Sequence, residues 1–529
     1  MNAHERRMVE FLSRRASYPH AAGRIDRRET HVSHVFLAGA FAYKLKKPVK
    51  FPFLDASTLE RRKQFCRLEL SLNRRLTTGV YLGIVPVVEN GGRLRLGGRG
   101  RVVEWLVRMR RLPDERMLDR LVARGRVSAR DMVRIADRLA GFFRSAKRSR
   151  AVGRFGAPDQ VAALVLGNLE ECRPFVGRLL TEPARASLEA AYRRFLTLRR
   201  PLLERRVGDK RIIDGHGDLR CENICLLDDA VGAAAQIFDC VEFEPVFRCG
   251  DVVNDLSFLA MDLEFRRRPD LAGALVDRCQ RLLGDRDGRL LLEFYQCHRS
   301  LVRGKVRGFA WLQHPRTGQG RRVRRLAARH FALAARYARH FAPPWLLVVG
   351  GGIGSGKSTL ARSLAEGLGA AWLRSDEIRL TEFAAARRAG SDFGAGLYAP
   401  RISEQVYRRL IRRAERLIRQ GRSVVCDGTF SRAAGRDELR RIAARQGTSF
   451  HFFQCVVPRA VALRRIARRL ASKSDISEAR QEHYDRLRQG FEPVRGWPSS
   501  AWTRLSDNRP PERTYAAALD ALRRAWRVA

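Results

Sequence analysis

Three polar strings stand out against the apolar runs around them. The first is His216-Gly217-Asp218-Leu219-Arg220-Cys221-Glu222-Asn223, followed by Ile237-Phe238-Asp239. An Asp and an Asn five apart on one loop, then a strand-end Asp sixteen later, supply a base and two oxygen ligands for hard Mg²⁺ ions. Phosphoryl transfer asks for little more than this and a cation to hold the phosphates. The second string, Gly351-Gly352-Ile353-Gly354-Ser355-Gly356-Lys357-Ser358, fits G-x-x-x-x-G-K-[ST] between an apolar strand and a helix, with Thr359 opening that helix. Its glycines let backbone N–H groups curl round phosphate oxygens, Lys357 reaches the β/γ-phosphates of ATP, and Ser358 can ligate Mg²⁺. The third is Val424-Val425-Cys426-Asp427, an apolar strand ending in a carboxylate. Asp427 there can meet the metal, or can simply cap the next turn.

Two further groups accompany the glycine loop. Asp376 and Arg379 follow the predicted second strand, whose end faces the ligand crevice in a parallel sheet. Asp376 is placed to accept a proton from a substrate hydroxyl and Arg379 to clamp the substrate, with an N-cap Asp as the plain alternative. Arg464, Arg465, Arg468 and Arg469 form two i,i+4 pairs before Ser474-Asp475. Arginines such as Arg465 and Arg469 on a closing lid can neutralise a transferring phosphoryl, although in so arginine-rich a chain they also read as a solvated face.

The elements that must position these groups fall into two halves. A long helical stretch near 322 to 341 runs into Ala342-Pro343-Pro344, and a proline pair stops a helix. This sets an N-terminal region 1–342, with a small lobe of about 1–107 and a large lobe of about 108–342, and a C-terminal region 343–529. In the latter, strand and helix patterns alternate, as a parallel sheet with crossover helices requires.

From 344 to 500 the chain resembles the small P-loop kinases of the gluconate-kinase, shikimate-kinase and zeta-toxin type. From 25 to 300, HGDLRCEN, Asp239, Gly250-Asp251 and Asp255-Leu256-Ser257 resemble the aminoglycoside phosphotransferase family, relatives of protein kinases. The order of the halves is similar to bacterial bifunctional proteins described as aminoglycoside-phosphotransferase-like with an ATP-binding kinase domain. The resemblance implies an α+β protein-kinase-like domain followed by an α/β P-loop domain. It makes Asp218 the catalytic base, Asn223 and Asp239 the Mg²⁺ ligands, Asp251 or Asp255 a support of the loop, and His216 structural. It also calls for a strand lysine paired with a helix glutamate. Lys44 is chosen over Lys46 and Lys47, and Glu69 lies on a helix opened by a capping box at Ser57-Thr58-Leu59-Glu60. Two features depart from the family. No G-x-G-x-x-G precedes Lys44, so the turn Thr30–His34 must cover the phosphates, and Arg220 stands where members often carry His, which bears on the acceptor.

Composition bounds the rest. The 529 residues carry 103 Lys+Arg against 56 Asp+Glu, a formal charge of +47. Only ten of the basic residues are lysine, so Lys357 is a compact point charge in a chain that otherwise prefers arginine. The charge favours anionic ligands and makes a poor host for polycationic aminoglycosides. Ten scattered cysteines lack a C-x-x-C pair and read as reduced thiols. The N-terminus is charged from its fifth residue and no run of about 18 apolar residues occurs, so a cytoplasmic protein without a membrane partner is expected. The expected activity is transfer of the γ-phosphoryl of Mg-ATP to a small-molecule hydroxyl at two nucleotide sites. A nucleic-acid 5′-hydroxyl kinase and a nucleotide-gated regulator with one inactive half are the alternatives. Oligomeric state leaves no mark on the sequence.

Overall fold

The computed structural model describes residues 2–51, 54–227, 235–383, 399–472, 484–506 and 508–528. By contacts the chain divides into two units: residues 1–161 with 204–300, and residues 162–203 with 301–529. The helices of 162–203 and 301–341 thus pack with the P-loop half, although they precede the Pro343-Pro344 break in sequence.

The first unit opens with helix α1 (Ala3–Leu12) and an antiparallel sheet of β1 (Asp26–Glu29), β2 (Ser33–Ala38), β3 (Phe41–Lys46), β4 (Tyr81–Asn90), β5 (Arg93–Leu96) and β6 (Arg101–Arg110). Their order is β1-β2-β3-β6-β4-β5. Side chains alternate across a strand, and β3 uses that period to separate two jobs. Tyr43 and Leu45 point to one face and join Met8, Val9 and Leu12 of α1 in a core. Lys44 and Lys46 point to the other face, toward helix α2 (Leu59–Asn73), whose Cys66 packs on Tyr81 and Val107. Thr58, not Ser57, caps α2, accepting from Arg61 N at 3.3 Å, while the Ser57 hydroxyl turns back to Asp55. The expected box with Glu60 is therefore not formed, because the helix starts one residue later than the pattern implied.

The larger lobe of this unit is helical around short strands. Helix α3 (Ala129–Ser145) carries a true capping box between Ser128 and Asp131. Antiparallel pairs are made by β7 (Ile212–Asp214) with β10 (Cys249–Asp251), and by β8 (Ile224–Leu226) with β9 (Ala235–Ile237). Helix α4 (Val252–Phe265) is buried almost all round, as its run VVNDLSFLAM predicts, and α5 (Pro269–Leu283) packs on α3.

In the second unit α6 (Gly318–Phe341) leads to a wholly parallel sheet of β11 (Trp345–Gly351), β12 (Ala371–Arg374), β13 (Val424–Asp427), β14 (Ser449–Val456) and β15 (Trp502–Ser506), in the order β12-β13-β11-β14-β15. All seven residues of β11 are buried, which is why WLLVVGG reads as a continuous apolar run. Helices α7 (Lys357–Leu368) and α12 (Pro511–Val528) cover one face, with Leu360, Leu364, Leu368 and Leu522 against Leu347 and Val349. Helices α8 (Ser375–Glu382), α9 (Pro400–Arg419) and α10 (Ala433–Arg445) cover the other, through Ile378, Leu410 and Leu439. Helix α11 (Arg459–Ser472) adds a small cluster at Ile353, where Ala462 and Ile466 pack.

Candidate functional sites

In the first unit, Lys44 Nζ lies 2.8 Å from Glu69 Oε1 and 2.7 Å from Asp239 Oδ1. Three residues distant in sequence meet at one ammonium. Lys46, passed over at the sequence level, binds the other oxygen of Glu69 and the carboxylate of Glu242. Period-two geometry is the signal that would have found it, since Lys46 must share the face of Lys44. Lys47 instead pairs with Glu29 at the surface. Burial would raise the Glu69 carboxyl, but Lys44 and Lys46 outweigh it and hold the group down to about 2. The same carboxylates keep the Lys44 ammonium well above its usual value despite burial.

The loop after β7 is tied down by backbone bonds. The Asp255 carboxylate accepts from His216 N at 2.5 Å and Gly217 N at 2.8 Å, and Arg299 donates to Gly217 O at 3.0 Å. Gly217 has φ +84°, and a Cβ there would sit 2.7 Å from Phe247 O. Of the two candidate supports, Asp255 therefore holds the loop. Asp251 caps α4 and pairs with Arg206. His216 is buried, which pushes its imidazole down toward the neutral form. Nε2–H then donates to Phe238 O at 3.0 Å, leaving Nδ1 to accept from Asp218 N at 3.3 Å. Asn223 Nδ2 donates to Asp218 O at 2.9 Å and Asp218 Oδ2 at 3.0 Å. Asp239 has φ +63°, a left-handed conformation that turns its backbone after β9.

Arg220 forms a two-pronged bond to Asp218, with Nε to Oδ1 and Nη2 to Oδ2 each at 2.8 Å. It also binds Glu222, which Arg266 reaches at 3.4 Å, and Arg266 contacts Asp262 at 3.3 Å. The spacing Asp218-x-Arg220 was visible, but its fork geometry was not. The turn expected to close over the site is a tight β1–β2 connection: Ser33 N donates to Thr30 Oγ1 at 3.0 Å, and Lys47 N to Val32 O at 2.9 Å.

In the second unit the glycine loop bends where the pattern requires. Gly351, Gly354 and Gly356 have φ of +146°, +73° and +82°. A Cβ on Gly351 would lie 2.3 Å from Cys455 O, and one on Gly354 2.7 Å from Ala462 O, so both the path and the close packing demand glycine. Around Gly352 a Cβ would meet nothing within 4 Å, so there is open space beside the loop at that position. Ser355 Oγ is buried without a hydrogen-bond partner among the described residues. Ser358 Oγ donates to Asp427 Oδ1 at 3.2 Å. Asp427 is in register with Val349 of β11 and Arg374 of β12. Burial raises its carboxyl, opposed by Lys357 and the Ser358 bond. A cleft beside the loop is lined by Gly356, Thr359, Leu360 and Ser363 on one side and by Arg465 and Thr514 among others, so Arg465 shares that cleft with Gly356.

The remaining sequence candidates are placed as follows. Asp376 stands in the first turn of α8, which begins directly after β12, close enough to Asp427 to oppose its ionisation. Arg379, one turn on, is buried and donates to Ser403 Oγ at 3.2 Å. Arg464 and Arg468 are exposed. The Arg469 side chain and Ser474-Asp475 lie outside the described residues. Tyr407, hidden in the arginine-rich α9, was missed. Its hydroxyl bonds Thr429 Oγ1 at 2.8 Å and Phe430 N at 3.1 Å, bracing the segment after β13.

Residues 346–494 match a family model described as an AAA domain. Among solved structures, a choline/ethanolamine kinase family protein from Mesorhizobium loti matches 62% of this chain and 99% of its own at 13% identity, TM-score 0.36. A sugar kinase from Janibacter sp. HTCC2649 matches 35% of this chain and 98% of its own at 20% identity, TM-score 0.27. The APS kinase of Mycobacterium tuberculosis, solved with AMPPNP and APS, matches 34% and 98% at 24% identity, TM-score 0.26. Uncharacterized proteins of Mycobacterium bovis and of two Mycobacterium tuberculosis strains are 35% identical over 454 residues, 85% of this chain and 87% of theirs. The chain belongs to the family of these mycobacterial proteins.

Proposed function

We propose that the protein is an ATP-dependent phosphotransferase with two nucleotide sites, each moving a γ-phosphoryl group to a hydroxyl of a small molecule. The observation that carries this reading is the meeting of Lys44, Glu69 and Asp239 within 2.8 Å of one ammonium, beside the Asp218–Asn223 pair. A structural ion pair needs neither the second carboxylate nor the neighbouring base.

In the first unit Lys44 would hold donor phosphates, with Glu69 fixing its position. Asn223 and Asp239 are oxygen donors suited to Mg²⁺, which when bound neutralises phosphate charge and holds the donor in line. Asp218 accepts the proton of the acceptor hydroxyl as its oxygen attacks the γ-phosphorus and the bond to the ADP oxygen breaks. In the second unit the open face at Gly352 and the unpartnered Ser355 hydroxyl fit phosphate oxygens. Lys357, Ser358 and Asp427 suit the β/γ-phosphates and their Mg²⁺, with Asp376 as base and Arg379, Arg465 and Arg469 as charge-stabilising groups. Positioning and charge stabilisation carry both reactions without a covalent intermediate.

One observation favours a second reading, in which the first unit is a nucleotide-gated regulator: both oxygens of Asp218 are engaged by Arg220. Transfer of ³²P from labelled ATP to a panel of sugars, amino alcohols and nucleosides separates the two. Asp218→Ala and Lys357→Ala should each remove one activity and spare the other. If Asp218→Ala leaves every transfer intact, the regulatory reading replaces catalysis in the first unit.

A further inference from the structure

The segment that ends β13, Asp427-Gly428-Thr429-Phe430, is laced to two neighbours at once. On one side it joins β11 and the start of the glycine loop: Gly351 N donates to Thr429 O at 3.0 Å, and Gly428 N to Val349 O at 3.3 Å. On the other side it meets a single hydroxyl of α9. Tyr407 Oη accepts from Phe430 N at 3.1 Å and shares a hydrogen bond with Thr429 Oγ1 at 2.8 Å. A Cβ on Gly428 would stand 2.9 Å from that same oxygen and 3.0 Å from Ser375 Oγ, so glycine is what lets the phenol come this close to the backbone.

Phe430 shows what the hydroxyl restrains. Its φ of +44° is left-handed, a conformation that an aromatic residue adopts only where its surroundings enforce it. The residue is buried, and its ring meets the Tyr407 ring edge-on with centroids 5.0 Å apart. For that packing a phenylalanine at 407 would serve. The hydroxyl adds something different, since both of its partners lie on the turn just behind Asp427, whose carboxylate accepts from Ser358 at 3.2 Å. Without it the Phe430 N–H loses its acceptor and the left-handed turn loses its restraint. Thr429 O, the atom that holds Gly351, would move with that turn.

We propose that Tyr407 is a positioning residue of the second site, its hydroxyl holding Asp427 in register with the glycine loop so that carboxylate and loop engage one Mg-nucleotide together. The inference rests on the reading of this loop as a nucleotide site. Tyr407 acts through Thr429 and the Phe430 amide, as the outer partners of a metal ligand do, and removing such partners typically costs about 10–100-fold in metal affinity. The glycine path itself is set by Gly351, Gly354 and Gly356, so phosphate binding without metal depends far less on the phenol.

The test uses the full chain in a Lys44→Ala/Asp239→Ala background, which removes the cation and a metal ligand of the first site. ATP is titrated by calorimetry, once with Mg²⁺ and once with EDTA. Tyr407→Phe keeps the ring and loses the hydroxyl, and Thr429→Val cuts one of its two bonds from the other end; thermal unfolding confirms that each variant folds. Tyr407→Phe should weaken Mg-ATP by about tenfold or more and ATP in EDTA by less than about twofold. Thr429→Val should show a smaller loss in the same direction, and the double variant should bind no more weakly than Tyr407→Phe alone, because both changes cut one linkage. Equal losses with and without Mg²⁺ would reduce Tyr407 to general support of the fold and overturn the proposal, as would a Tyr407→Phe variant that binds like its parent in both buffers. Lys357→Ala in the same background tests the premise separately: Mg-ATP binding that survives it would remove the nucleotide site, and the role of Tyr407 with it.

Discussion

Glu69→Gln tests whether the buried charge cluster on β3 is held together as the geometry states. Glu69 is fully buried between Lys44 and Lys46, and its carboxyl is held at about 2 against an ordinary 4.5. That difference corresponds to roughly 3 kcal/mol of stability in the first unit at neutral pH. A carboxyl lowered in the folded state contributes fully above its unfolded pKa, and the contribution fades as pH falls from 4.5 toward 2. Glutamine keeps the shape and loses the charge. Urea unfolding followed by tryptophan fluorescence, at pH 7 and pH 3.5, should therefore give a wild-type advantage of about 3 kcal/mol that shrinks by about 1 kcal/mol at the lower pH. An advantage below 1 kcal/mol at pH 7, or one that grows on acidification, would refute the assignment of Glu69 as the ionised centre of the cluster.

Other outcomes follow from the same contacts. Lys46→Met should cost roughly 3–5 kcal/mol, because it strands Glu69 and Glu242 in the interior, and should destabilise more than Lys44→Met, whose partner Asp239 is half exposed; paired urea titrations compare them. Gly351→Ala and Gly354→Ala should each abolish nucleotide binding at the second site, since a Cβ at either collides with backbone carbonyl oxygens, and a tenfold or smaller loss by nucleotide titration would contradict this. Arg220→Ala removes the fork from Asp218 and leaves the Asn223 bond to Oδ2 in place. If the fork orients the base, transfer by the first unit falls at least tenfold with ATP binding unchanged; if it restrains the base, transfer rises, and initial rates decide between them.

Much of this was legible because the chemistry is local in sequence. A phosphate loop is a run of consecutive backbone amides, so its residues and spacing name it, and the strand before it and helix after it were equally plain. Asp218 and Asn223 likewise share one loop. Legibility fell where a contact depends on register or on a start point. Lys44 was picked from three lysines, yet its neighbour Lys46 shares Glu69 as well, which follows only once the strand face is fixed. The α2 cap moved from Ser57 to Thr58, since two adjacent hydroxyl residues offer the same signal and the Asp55 bond decides between them. Asp376 and Arg379 follow the second strand as the pattern placed them, but that they share a helix beginning at Ser375, directly after β12, was not stated by it. The pairing of Arg220 with Asp218 and the choice of Asp255 over Asp251 are matters of side-chain direction that no spacing states. The contact division was least visible, for helices before the proline break bury against the P-loop half: Leu198 lies in the core of Trp345 and Leu360.

The central claim is that one chain holds two separate nucleotide sites, and calorimetric titration of Mg-ATP tests it most directly, using wild type, Lys44→Ala and Lys357→Ala. The account predicts a stoichiometry near two, falling to one in each variant. A stoichiometry near one, abolished by Lys357→Ala and untouched by Lys44→Ala, would contradict it and leave the first unit a kinase-like fold without its nucleotide.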